Sequence, residues 1–323
     1  MGMASGAVGP AAPEGTTFGR LRLWTRWAFV AIAGGLLAWA LLEYRGAIVD
    51  AWSSIGTLPL IGSGLAALVA LGANALSWRA TMRSVGLRAT RREAAGVFFV
   101  SQAGKYVPGA VWPVVAQAEF ARDHGVDRFR AVVGSLGAML VGVVTASIIG
   151  AVGTTVFVPG ALATYWWVLP VAAALALVLA PPILRRIVAR AMKMRGRQGE
   201  VPQIAGRDLV VASLWSAAMW LLLGVHAWIL LRGIAPGPSV SWPLATGVIA
   251  LAWLVGFVVV FAPAGAGARE ATMVVLLGAV ATPAEALAFA LASRVLMTLA
   301  DAIAFAIGLG LGTWPGRRRP VRT

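Results

Sequence analysis

The sequence predicts an all-α polytopic membrane protein, with about six full spans and two Gly/Pro-broken, re-entrant segments in an inverted repeat. Three observations predict it. The 323 residues are 59% hydrophobic and only 12% charged, whereas a soluble domain carries about 25% charged residues. Long runs hold no charge at all, and about 20 apolar residues suffice to cross a bilayer. The basic residues gather between those runs, the pattern of positive-inside topology. A net charge of +15 distributed in this way points to anionic lipid headgroups and away from nucleic acid.

Residues 1–19, rich in Gly, Ala, Pro and Thr, read as a disordered tail. Arg20, Arg22 and Arg26 then lead into the apolar run 27–42. Ala38 and Ala40 would suit a signal-peptide cleavage site, but the long leading tail and Trp24, Trp27 and Trp39 favour a retained helix. Further spans are expected at 58–78, 131–158, 161–182, 209–231 and 285–313. Residues 20–315 form one transmembrane domain, followed by a basic tail at 316–323. Two more apolar regions, 94–118 and 244–283, are interrupted by Gly and Pro. Trp78, Trp166, Trp167 and Trp242, with Trp24, Trp27, Trp52 and Trp314, read as interfacial anchors.

Loop charges orient the spans. Arginines are dense at 79–92 (Arg79, Arg83, Arg88, Arg91, Arg92), at 122–130, and with Lys193 through 183–208; residues 43–57 and 232–243 hold only Arg45 and Arg232. The dense loops are expected inside and the sparse ones outside. Region 94–118 then begins and ends inside, as a re-entrant hairpin or a surface-lying segment, and its apolar content favours re-entry. Region 244–283 begins and ends outside, as a re-entrant hairpin or as two full spans. Halves of about 58–158 and 209–313 become upside-down copies, each with an aromatic-x-Pro break at Tyr106–Pro108 or Phe261–Pro263. Inverted repeats with paired broken helices are a transporter architecture, with the site at the breaks.

The chemistry-bearing residues sit at those breaks. Lys105 lies about 16 Å of helix beyond Glu93, roughly half a hydrocarbon core deep. A lysine there needs a partner or water. It reads either as a cation for an anionic headgroup such as a phosphate, or as a shallow lysine that snorkels to the interface. Gly104 and Gly109 allow close approach, and Pro108 removes a backbone donor. In Pro263-Ala264-Gly265-Ala266-Gly267-Ala268-Arg269-Glu270, backbone N–H groups at a helix start could meet an anion. The same stretch could also be an ordinary surface turn. Arg294 and Asp301 lie two helical turns apart on one face of the last span, as supporting intramembrane charges or a structural ion pair. Gln117, Glu119 and His124 read as a polar exit loop, and His226 as a satisfied buried residue. There is no cysteine, which excludes disulfides, thiol catalysis and thiolate metal sites. No nucleotide-binding motif is present, and no cofactor or metal is expected.

Gly104-Lys105-Tyr106-Val107-Pro108-Gly109-Ala110-Val111-Trp112, with His124-Gly125-Val126 after it, and the later Pro263–Glu270 stretch resemble the two signatures of the lysylphosphatidylglycerol synthase/flippase transmembrane domain. The resemblance covers roughly residues 25–315. It implies lipid translocation, with a headgroup site carried by Lys105, Tyr106, Pro108, Gly109, Trp112, Pro263, Gly265, Gly267, Arg269 and Glu270. The second signature is looser here, because Ala264 follows Pro263. The implied ligand is an anionic, aminoacylated or polyprenyl-phosphate-linked lipid. The alternative is an accessory subunit or enzyme of cell-envelope glycolipid synthesis. The chain ends at Thr323, so the soluble aminoacyl-transfer domain of the synthases is not expected, nor is catalysis. Implied partners are the membrane and its phospholipids, an envelope-biosynthesis enzyme and a second copy of the chain. The implied location is a bacterial inner membrane with both termini cytoplasmic.

Overall fold

The computed structural model describes residues 42, 55–107, 112–158, 160–194, 196, 205–235, 240–259, 265 and 267–312. Apart from Leu42, the expected span 27–42 lies outside them, as do Pro108, Gly109 and Pro263. Every regular element among the described residues is helical.

The helices are α1 Thr57–Ser84, α2 Arg91–Gln102, α3 Trp112–Asp123, α4 Arg128–Phe157, α5 Ala161–Tyr165, α6 Val168–Ala176, α7 Pro181–Met194, α8 Gly206–Ile234, α9 Trp242–Val258, α10 Ala268–Leu277 and α11 Pro283–Gly310. Of these, α1, α4, α8 and α11 are long and apolar enough to cross a membrane, as the sequence predicts for 58–78, 131–158, 209–231 and 285–313. Their starts are chemically marked. Asp127 caps α4 by accepting from the backbone of Phe129 and Arg130. Thr282 and Glu285 form a reciprocal box at the start of α11, with Pro283 in the first turn. Thr90 and Glu93 do the same for α2.

The run 161–182 departs from the single straight span expected. After α6 and a 3-10 turn at Leu177–Leu179, the chain bends by 67° into α7. Pro181 and Pro182 are the cause: neither has an N–H to donate, and Ala180 before them is pushed to extended backbone (ψ 129°). The basic stretch expected as a loop from 183 is helical to Met194.

The bundle is held at small residues. A Cβ on Gly153 of α4 would lie 2.5 Å from the Pro243 carbonyl and 2.7 Å from Gly247 Cα of α9. The α4 and α9 backbones therefore touch, the close approach that small residues permit between membrane helices. Contacts among the principal helices occur in matched pairs. Helix α1 packs on α2, as α8 does on α9; α2 packs on α3, as α9 does on α10. Likewise α2 meets α11 as α9 meets α4, and α1 meets α11 as α8 meets α4. Helices α1 and α8 run against each other at the centre.

Candidate functional site

Both broken regions lose their helix where the chemistry lies. Helix α2 ends at Gln102 and tightens into a 3-10 turn, Ala103–Tyr106, before Val107 goes extended (ψ 128°). Extended backbone at this position is what Pro108 imposes on the residue before it. In the second region α9 stops at Val258 and α10 starts at Ala268. Gly265 and Gly267 between them have φ of +69° and +83°, a conformation that favours glycine.

Helix α11 ties the two breaks together. Asp301, only 3% exposed at its side chain, accepts on Oδ2 from Lys105 Nζ at 2.6 Å and from the Tyr106 hydroxyl at 2.7 Å. Arg294 donates to Glu270 Oε1 at 2.7 Å. Arg294 and Asp301 sit about 10 Å apart along the axis and, two turns apart, share one face. They do not neutralise each other; each binds a charge from a different break. Glu270 has a second task, since its Oε2 accepts from Gly267 N–H at 2.6 Å. The anion position at that backbone N–H is therefore taken by the chain's own carboxylate rather than left for a ligand.

Lys105, Gly265 and Arg269 line one cavity of about 240 Å³. So do Asn74, Trp78, Gln102, Gln117, Trp220 and Trp253. Lys105, Arg269 and Arg294 against Asp301 and Glu270 leave one positive charge uncompensated within this group. Arg269 Nη2 and Trp78 Nε1 are buried donors without a hydrogen-bond partner among the described residues. Buried donors are almost always satisfied; here both belong to residues on the cavity wall. Asp301 Oδ1 is a buried acceptor in the same condition.

The expected site residues divide accordingly. Lys105, Tyr106, Gly265, Arg269, Glu270, Arg294 and Asp301 come together through the cavity wall and α11. Gly267 supplies the cap. Trp112 is 40% exposed, and its neighbours Pro113 and Val114 reach the cavity instead. Gln117 is not in an exit loop: it is 4% exposed and donates to Ser101 Oγ at 3.0 Å across the α2–α3 contact. Trp78 is not an exposed anchor: it is 2% exposed and packs on Phe98 and Phe120. Asn74 and Trp253 were not singled out in the sequence; Asn74 stands as an amide within the uncharged run 58–78, the signal that could have found it. Glu119 and His124 lie at the far end of α3, where Glu119 meets Arg122 and His124 meets the Phe120 carbonyl. His226 is the satisfied buried residue expected, bridging Ser63 and Ser293. No group of side chains suited to a metal ion occurs among the described residues.

No curated protein matches the sequence. The family model described as the lysylphosphatidylglycerol synthase TM region matches residues 26–304, which takes in both breaks and the two α11 charges. With membrane-crossing helices across the same interval, this integral, multi-pass membrane protein belongs to the lysylphosphatidylglycerol synthase transmembrane-region family.

Proposed function

We propose that the protein is a lipid flippase that binds an anionic phosphate-bearing headgroup between its two breaks. One observation carries this reading: Lys105 from one break and Arg269 from the other line a single cavity with a net positive charge. A cation inside a membrane domain marks a substrate path by default. Orphaned donors beside two cations suit an oxygen-rich anion, and charge-assisted bonds to such an anion are strong.

The matched helix contacts support an inverted repeat in which α2–α3 and α9–α10 are opposed re-entrant hairpins. Helix α10, Ala268–Leu277, rises only about 15 Å, half of a ~30 Å hydrocarbon core, so the second region reads as a hairpin rather than two full spans. In this reading the arginine-rich α1–α2 and α3–α4 joints, and both termini, face the cytoplasmic side of a bacterial inner membrane, which the positive-inside tendency supports. Asp301 holds Lys105 while no headgroup is present, and substrate phosphate competes with that carboxylate for it.

The test is transbilayer movement of labelled anionic and aminoacylated phospholipids in liposomes. Wild type is expected to move them and Lys105→Ala to lose most of that rate. Equal rates in both proteins overturn the proposal. Chemical conversion of the lipid without movement favours the envelope-enzyme reading instead.

A further inference from the structure

A second hollow, about 620 Å³, lies away from the paired charges, between α1, α4, α7 and α8. Its α4 wall is Val132, Leu136 and Leu140, a different face of that helix from the Ser135, Ala138 and Met139 that line the central cavity. Helix α7 closes one side with Leu184, Ile187, Val188 and Ala191. These recur at the i, i+3, i+4, i+7 spacing of one helical stripe. Arg186, Arg190 and Lys193 are exposed on the other side of α7. An amphipathic helix of this composition, turned 67° from the one before it, suits the plane of the headgroups.

The hollow has a charged end and an apolar length. Arg128, the first residue of α4, is exposed and lines it. From Arg128 to Leu140 the helix rises about 18 Å, close to the roughly 15 Å of hydrocarbon in one leaflet. One cation followed by one leaflet's depth of apolar wall is complementary in charge and length to a single anionic phospholipid.

We infer that this groove holds one anionic phospholipid of the leaflet on the arginine-rich side. Its phosphate lies against Arg128 and an acyl chain lies along Val132, Leu136 and Leu140. The inference rests on the proposed function only in taking phospholipid as the ligand; the site is distinct from the central cavity.

The chain has no cysteine, so Leu136→Cys, at a position 52% exposed, carries a single fluorophore. In vesicles, acyl-brominated phosphatidylglycerol is expected to quench it at roughly fivefold lower mole fraction than acyl-brominated phosphatidylcholine, the preference one basic residue near the surface confers. Adding Arg128→Gln is expected to bring the two lipids level, whereas Lys105→Ala leaves the preference in place. Equal quenching by the two lipids with Arg128 intact overturns the inference. So does a lipid-independent disulfide between Leu136→Cys and a cysteine placed within 27–42, since the chain itself would then fill the groove. Equal quenching alongside Lys105-dependent transport removes the groove alone. A retained preference with transport indifferent to Lys105 removes the proposed function alone.

Discussion

Asp301 receives both Lys105 and Tyr106 on one oxygen while its other oxygen has no partner among the described residues. Removing one member of a buried ion pair strands the other, at a cost of about 3–5 kcal/mol. Lys105 is 30% exposed at its side chain, so Asp301→Ala is expected near the low end, about 3 kcal/mol, read as a lowered thermal midpoint in detergent. Combining Lys105→Met with Asp301→Leu is expected to recover most of that stability while transport stays lost, because apolar replacement of a buried pair is often neutral. Recovery of transport would contradict a headgroup role for Lys105. Arg269 differs, because its Nη2 has no hydrogen-bond partner among the described residues. Arg269→Gln is expected to keep the thermal midpoint and lose transport; a large drop in stability with transport intact would mark it as structural. Lys105, Arg294 and Asp301 were visible in the sequence as charges within apolar runs. Their pairing was not, because an i, i+7 spacing fixes a shared face but not which neighbour packs against it.

Among the elements, the breaks are the best-read features, because Pro and Gly act locally on the backbone. Val107 is extended ahead of Pro108, and Gly265 takes a positive φ. Gly265 also packs backbone to backbone on α9, where an added Cβ would come within 2.9 Å of Gly256 Cα. Gly265→Ala and Gly153→Ala are therefore both expected to cost more than the 1–3 kcal/mol of an ordinary overpacked site, because each new Cβ would come within 3.0 Å of backbone that cannot swing aside; thermal unfolding checks both. Harmless substitution at Gly265 would contradict the close packing of the second break on α9. The bend before α7 is hard to read in the sequence because Pro181 and Pro182 close an apolar run of spanning length. Helix α7 itself was missed because its arginines resemble a loop when the Leu184, Ile187, Val188, Ala191 stripe between them is not phased. Gln117 was misplaced for a related reason: only a helix beginning near Trp112 puts it on one face with Pro113 and Val114.

Over the whole molecule, the proposed pairing of opposed halves starts from loop charges, since arginine counts need no tertiary contact to interpret. What they could not supply is the role of α11, which packs against α1, α2, α8 and α10 and joins both breaks through Arg294 and Asp301. If the hairpins are opposed, a membrane-impermeant thiol reagent should reach Arg92→Cys, exposed at the start of α2, from the arginine-rich side and Ala284→Cys, exposed at the start of α11, from the other; labelling of both from one side would contradict the inverted arrangement. The central claim is that one anionic headgroup sits between Lys105 and Arg269, and a phospholipid carrying a photoreactive group on its phosphate tests it directly. After irradiation and peptide mapping, adducts are expected on the cavity wall at Trp78, Gln117 and Trp253, and are expected to disappear when Lys105→Ala and Arg269→Ala are combined. Adducts that persist in that double variant, or that fall only around Arg128, would contradict it.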